Sequence, residues 1–254
     1  MEYDEAQPQK ICAVYFSSNN IYFPNTEEAF IKSIKQKDKY EWYNLRIPYA
    51  HKHLFLRDIK KQWYLTGINN NINCPQKLLD FLKKETFGYS IIMLGSSAGG
   101  FASVLYGSLL QADKVYTFNG QFEIESLLNT STAEIDPLIF RFANYKDLRK
   151  YYDVKPYINK HTNIFYFYSA RSEWDNSQFE HIKETKINVV SFLTSRHGIP
   201  FPKKNLTFIF QLNNDKLLEF AEKTFSPIVF SIKIIGIFKT LKGIYSQIKQ
   251  KLCK

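Results

Sequence analysis

The sequence predicts an α/β fold: a mostly parallel sheet with helices on both faces, with a helical lid insertion and a C-terminal amphipathic helix. Three observations carry this expectation. Short apolar runs rich in β-branched and aromatic residues alternate with segments of helical period, the pattern of a parallel sheet buried on both faces. A Gly/Ser turn joins one such run directly to a helical pattern. Residues 121–160 then interrupt the alternation with helix-like, aromatic sequence, and an insertion there would lie over the carboxyl edge of the sheet, where ligands bind in such folds.

Residues 11–17 (ICAVYFS) read as a buried strand, and Thr26-Glu27-Glu28 opens a helix with Ala29, Phe30 and Ile34 inward. Residues 41–47 (EWYNLRI) are expected to be a second strand, stopped by Pro48. Pro75 starts a helix whose Leu78, Leu79, Phe81 and Leu82 share one side. Further strands are expected over 89–94, 114–118, 163–168 and 187–193, with a helix from the Gly/Ser turn through Leu110.

Apolar residues make up 44% of the 254 and aromatic ones 17%, enough for one large core. The expected division is a domain over 1–226, with its lid at about 121–160, and a basic helix over 227–254. The net charge of +10 suits an anionic partner. The lysines are scattered, however, and no nucleic-acid-binding signature is present, so no nucleic acid is expected as partner. Three cysteines without metal-ligand spacing imply neither a metal nor a redox cofactor. The acidic, polar N-terminal decapeptide is unlike a secretory signal, and no apolar run is long enough to span a bilayer. The expected location is cytoplasmic, peripheral at the inner membrane face through the tail.

Gly95-Ser96-Ser97-Ala98-Gly99 carries the G-x-S-x-G spacing between a strand and a helix. That context sets a serine on a sharp turn at the sheet edge, with the N–H groups of the following helix beside it. A phosphate-binding loop would need a lysine after its glycines, and Phe101 and Ala102 follow instead. Ser97 is therefore the expected nucleophile. A serine hydroxyl needs a base. Of the five histidines His197 lies after the strand over 187–193, completing the order serine, acid, histidine. The acid is expected after the strand over 163–168, where Asp175 and Glu173 both qualify, Asp175 being preferred because a helix is expected to begin at Asn176. Backbone N–H groups of Ala98 and Ser18 are the expected oxyanion donors. In the lid, Arg141, Tyr145, Arg149, Tyr151 and Tyr152 are candidates for contact with an anionic or glycan substrate.

The runs IIMLGSSAGGFASVLYG, YSARSEWD and SRHGIPF resemble the α/β-hydrolase superfamily, and within it bacterial surface-polysaccharide proteins related to the accessory-Sec glycan O-acetyltransferases. The resemblance covers roughly residues 11–222 and implies acyl transfer or ester cleavage on a glycan. Ser97, Asp175 and His197 take the triad roles in it. The oxyanion loop departs from the family by lacking a His-Gly pair. A non-catalytic scaffold on the same fold, binding polysaccharide-assembly partners, is the alternative.

From Pro227 onward Phe230, Ile234, Ile237, Phe238, Leu241, Tyr245, Ile248 and Leu252 are expected on one helical face. Lys233, Lys239, Lys242, Lys249, Lys251 and Lys254 lie off it, and no acidic residue follows Glu222. This pattern suits an anionic membrane surface as well as a final helix packed on the domain.

Overall fold

The strand over Ile11–Phe16 is buried on both faces. Cys12, Val14 and Phe16 enter one apolar cluster, Ala13 and Tyr15 the other. The same alternation recurs in Asn163–Ser169, where Ile164, Tyr166 and Tyr168 face one side and Phe165 and Phe167 the other. The computed structural model describes residues 1–134, 137–142 and 146–243. Among these, the strands are β1 (Glu2–Tyr3), β2 (Ile11–Phe16), β3 (Lys52–Leu56), β4 (Ser90–Ser96), β5 (Lys114–Phe118), β6 (Asn163–Ser169), β7 (Asn188–Phe192) and β8 (Lys223–Phe225). They form one sheet in the order β1-β3-β2-β4-β5-β6-β7-β8. Only the β1–β3 pairing is antiparallel.

Two expectations about the sheet need correction. Residues 41–47 form turns, and the strand beside β2 is β3. Trp42 and Ile47 are buried, but they pack as loop residues against the sheet face. β3 was hidden because its sequence, KHLFL, carries two polar residues into the interior. Lys52 Nζ donates to Glu85 Oε2 at 2.8 Å and to the Glu85 carbonyl at 2.7 Å. His53 Nδ1 lies 2.9 Å from the Tyr15 hydroxyl. Buried polar groups persist when paired, and here the partners lie far away in sequence. The sheet also continues past β7 into β8, three residues long.

The helices divide between the two faces. α1 (Glu27–Phe30), capped by Thr26, continues as a π turn over Ile31–Gln36. α2 (Pro75–Thr86), α3 (Ala98–Leu109) and α6 (Glu173–Ile182) cover one face with Leu78, Leu82, Leu105 and Ile182. Between β5 and β6 the described residues include several short helices. They are α4 (Glu125–Thr130), α5 (Pro137–Phe142) and single turns over 146–151 and 155–157. Gln178 of α6 fixes the root of this segment, accepting the N–H groups of Phe122 and Glu123.

α7 (Leu206–Ile209), α8 (Asn214–Leu218) and α9 (Pro227–Ile235) cover the other face. Phe230 of α9 is fully buried with Phe192, Phe201, Phe220 and Phe225 around it, a burial worth roughly 1.5–3 kcal/mol. α9 therefore belongs to the core, and the domain does not stop at 226. Nor is the tail one helix: Gly236, at φ +80°, ends α9, and residues 237–243 are helical again beyond it. The break rotates Phe230 off the face that carries Phe238 and Leu241. Residues 244–254 lie outside the described residues.

Candidate active site

β4 ends at Ser96 and α3 begins at Ala98, so Ser97 alone makes the turn. Its backbone, at φ 54° and ψ −123°, is neither strand nor helix, a conformation that costs a non-glycine residue about 1–3 kcal/mol. Glycine is required on both sides. A Cβ at Gly95 would sit 2.0 Å from the Gly99 carbonyl oxygen, and one at Gly99 would sit 2.2 Å from that of Phe16. The second contact brings the end of β2, and the loop that follows it, against the start of α3. The Ser97 N–H donates to the Phe118 carbonyl at 3.1 Å, tying the turn to β5. The first N–H groups of α3 have no helical acceptor and face the positive end of the helix dipole, and that of Ala98 is the first among them.

His197 and Asp175 meet Ser97 from two other elements. The Ser97 hydroxyl lies 2.9 Å from His197 Nε2, and His197 Nδ1 lies 2.7 Å from Asp175 Oδ1. An ionised carboxylate only accepts. Nδ1 therefore carries the proton toward Asp175, and Nε2 is left to accept from the serine. Asp175 is 2% exposed. It stands within the first turn of α6, which begins at Glu173 rather than at 176, and its N–H is capped by Ser172 Oγ. Glu173 opens the same helix but is exposed and makes no bond to His197. Asp175 Oδ2 is buried without a protein partner.

Several supporting residues escaped the sequence reading. Asn119 Nδ2 donates to the Arg196 carbonyl at 3.1 Å and to Ser169 Oγ at 2.8 Å, and Ser169 Oγ donates to the same carbonyl at 2.6 Å. The carbonyl just before His197 is thus anchored to the ends of β5 and β6. The Trp174 indole stacks on the His197 ring at 4.6 Å. Burial, with the Asp175 charge second, holds the Tyr166 phenol far above its ordinary range, so it stays a neutral donor beneath the acid. None of these carries a sequence signature, because each partner is remote along the chain.

Ser18 lies where expected, in the loop after β2, but its N–H is not free. It donates to Glu41 Oε2 at 2.7 Å. Glu41 reaches it because residues 41–47 turn back over the sheet edge instead of forming a strand. The loop is held independently by Tyr64, whose hydroxyl donates to the Ser17 carbonyl at 2.8 Å, and by Trp42, whose indole N–H donates to the Phe16 carbonyl at 2.9 Å.

A half-open cavity of about 220 Å³ lies over Ser97, lined by Ser18, Glu41, His197, Ile199 and, as its cationic residues, Arg196 and Lys203. Arg149 does not line it. Arg149 pairs with Glu125 on the surface, because the turn over 146–151 lies beside α4. Tyr145 and the side chain of Arg141 lie outside the described residues, and Tyr152 is buried at the root of the insertion. Among the described residues no cluster of histidine, cysteine and carboxylate side chains could hold a metal. Burial pushes the Cys12 thiol up to about 12, so it is no rival nucleophile.

No family model matches the chain, and no curated protein matches it. Solved structures do. A capsule O-acetyltransferase of Neisseria meningitidis serogroup A superposes with a TM-score of 0.52 at 14% identity, over 74% of this chain and 80% of that one. A Staphylococcus aureus Mu50 protein of unknown function gives 0.49 at 14% identity, over 93% of both chains. The Gap123 glycosylation-associated complex of Streptococcus agalactiae gives 0.49 at 14% identity, over 72% of this chain and 37% of that one. At such identities the likeness is one of fold. With its mostly parallel sheet, helices on both faces and a serine turn between β4 and α3, the chain has the α/β-hydrolase fold.

Proposed function

We propose that the protein is a serine esterase or O-acyltransferase that acts on an acylated bacterial surface glycan or its precursor. The observation that carries this reading is the continuous hydrogen-bonded chain Ser97–His197–Asp175 at 2.9 and 2.7 Å. Ser97 attacks the acyl carbonyl as His197 Nε2 takes its proton, and Asp175 stabilises the imidazolium. The N–H of Ala98 receives the developing oxyanion. His197 then returns the proton to the departing alcohol, and water or a sugar hydroxyl takes the acyl group from Ser97. The glycan part of the reading is supported by the capsule O-acetyltransferase of like fold. Intact-mass measurement after a fluorophosphonate treatment tests the nucleophile. The expected result is one adduct per chain, located on Ser97. An adduct on another serine, or none, ends the reading.

We further propose reversible contact with anionic membrane through the C-terminal helices. No helix among the described residues is long and apolar enough to cross a membrane. Yet Ile228, Val229, Ile237, Phe238 and Leu241 are all exposed, Phe238 at 86%. Lys233, Lys239 and Lys242 stand among them, each worth about 1 kcal/mol near an anionic surface. Because α9 is part of the core, the test keeps the whole chain. Phe238→Asp with Leu241→Asp should abolish flotation on anionic liposomes and leave the melting temperature unchanged. Undiminished flotation of the double variant would remove this segment from membrane contact.

A further inference from the structure

The N–H of Ser18 is where the sequence places an oxyanion donor, and an anionic oxygen already sits on it. Glu41 Oε2, at 2.7 Å, makes with this N–H the bond that a tetrahedral oxyanion would make. Glu41, Ser18, Ser97 and His197 line one cavity. The carboxylate is not needed to shape the loop. Tyr64 and Trp42 hold the carbonyls of Ser17 and Phe16, the Glu41 N–H itself donates to Ser17 Oγ at 3.3 Å, and Ser18 Oγ accepts from the Asn20 N–H at 3.2 Å. All of these survive loss of the Glu41 carboxylate.

We propose, on the reading of Ser97 as nucleophile, that Glu41 is the resting occupant of the oxyanion site, and that an acyl oxygen must displace it from the Ser18 N–H before reaction. The displaced carboxylate has cationic partners at hand, since Arg196 and Lys203 line the same cavity. Glu41 thereby sets the threshold for entry. A substrate gains the second donor only if its binding at the acceptor side suffices to exchange one oxygen for the other. A hydrogen bond to a charged group is among the stronger ones in proteins, so the exchange has a measurable effect on rate.

The test is the second-order rate of labelling of Ser97 by a fluorophosphonate. The Oγ–P bond forms as fluoride leaves, the proton passes to His197, and the phosphoryl oxygen takes the oxyanion position. The full-length chain, Glu41→Ala and Glu41→Gln are compared, with thermal melts alongside. Glu41→Ala should label about tenfold faster or more, the step a charge-assisted hydrogen bond sets. Glu41→Gln should fall between, since its amide oxygen still accepts but carries no charge. Equal or slower labelling of Glu41→Ala overturns the proposal. If it is slower and Glu41→Gln restores the wild-type rate, the side chain braces the loop instead. Should Glu41→Ala not fold, the Glu41→Gln rate decides, and an unchanged rate overturns the proposal. Labelling of the wild type without acceleration in either variant removes Glu41 alone. Absence of labelling at Ser97 in all three removes the nucleophile reading and this proposal with it.

Discussion

Ser97→Ala is expected to lower kcat for a small activated ester by about 10⁶-fold, the loss seen when the serine of a triad is removed, and to abolish fluorophosphonate labelling. The variant should nonetheless fold. Alanine keeps the Cβ that the turn already accommodates at φ 54°, and the tie from the residue-97 N–H to the Phe118 carbonyl is a backbone bond. The residual rate is informative too. An oxyanion site and substrate binding leave some catalysis without the nucleophile. A circular dichroism melt coincident with wild type, together with loss of ester turnover, is the expected pair of results. Turnover within tenfold of wild type would place the chemistry elsewhere.

The second large effect separates the two candidate acids in the first turn of α6, Asp175 and Glu173. Asp175→Asn should lower kcat by about 10⁴-fold, because an amide facing Nδ1 no longer enforces the tautomer that leaves Nε2 basic. Glu173→Gln should change kcat less than twofold, since its side chain is exposed and away from the imidazole. Asp175 Oδ2 is buried without a partner, so the carboxylate depends on its bond to His197 for compensation of its buried charge. Asp175→Asn should therefore leave the fold largely intact, as it removes that charge. Steady-state kinetics of the two variants on one ester decides between them, and the opposite ranking would move the role to Glu173.

The site was legible wherever chemistry is local in sequence. The G-x-S-x-G spacing marks its turn by itself. His197 is suggested by the order in which this fold delivers its residues to one edge, and that order leaves Asp175 and Glu173 both open as the acid. What stayed hidden is held by distant partners. β3 looked polar because Lys52 and His53 depend on Glu85 and Tyr15, on other segments. Residues 41–47 looked like a strand because Trp42 and Ile47 are apolar and bulky, although they cover a sheet face rather than extend it. That one misreading also concealed Glu41, whose position on Ser18 exists only because the segment turns. The tail was misread for a related reason: a single glycine, Gly236, resets the helical phase that periodicity assumes to be continuous.

The anchor on the Arg196 carbonyl has a dynamic consequence. Asn119 and Ser169, at the ends of two central strands, register the histidine loop to the middle of the sheet. The approach of the imidazole to Ser97 is then set by bonds to the strand ends. On the proposed function, substrate binding energy need not be diverted to placing the imidazole and is free to orient the acyl group at Ser97.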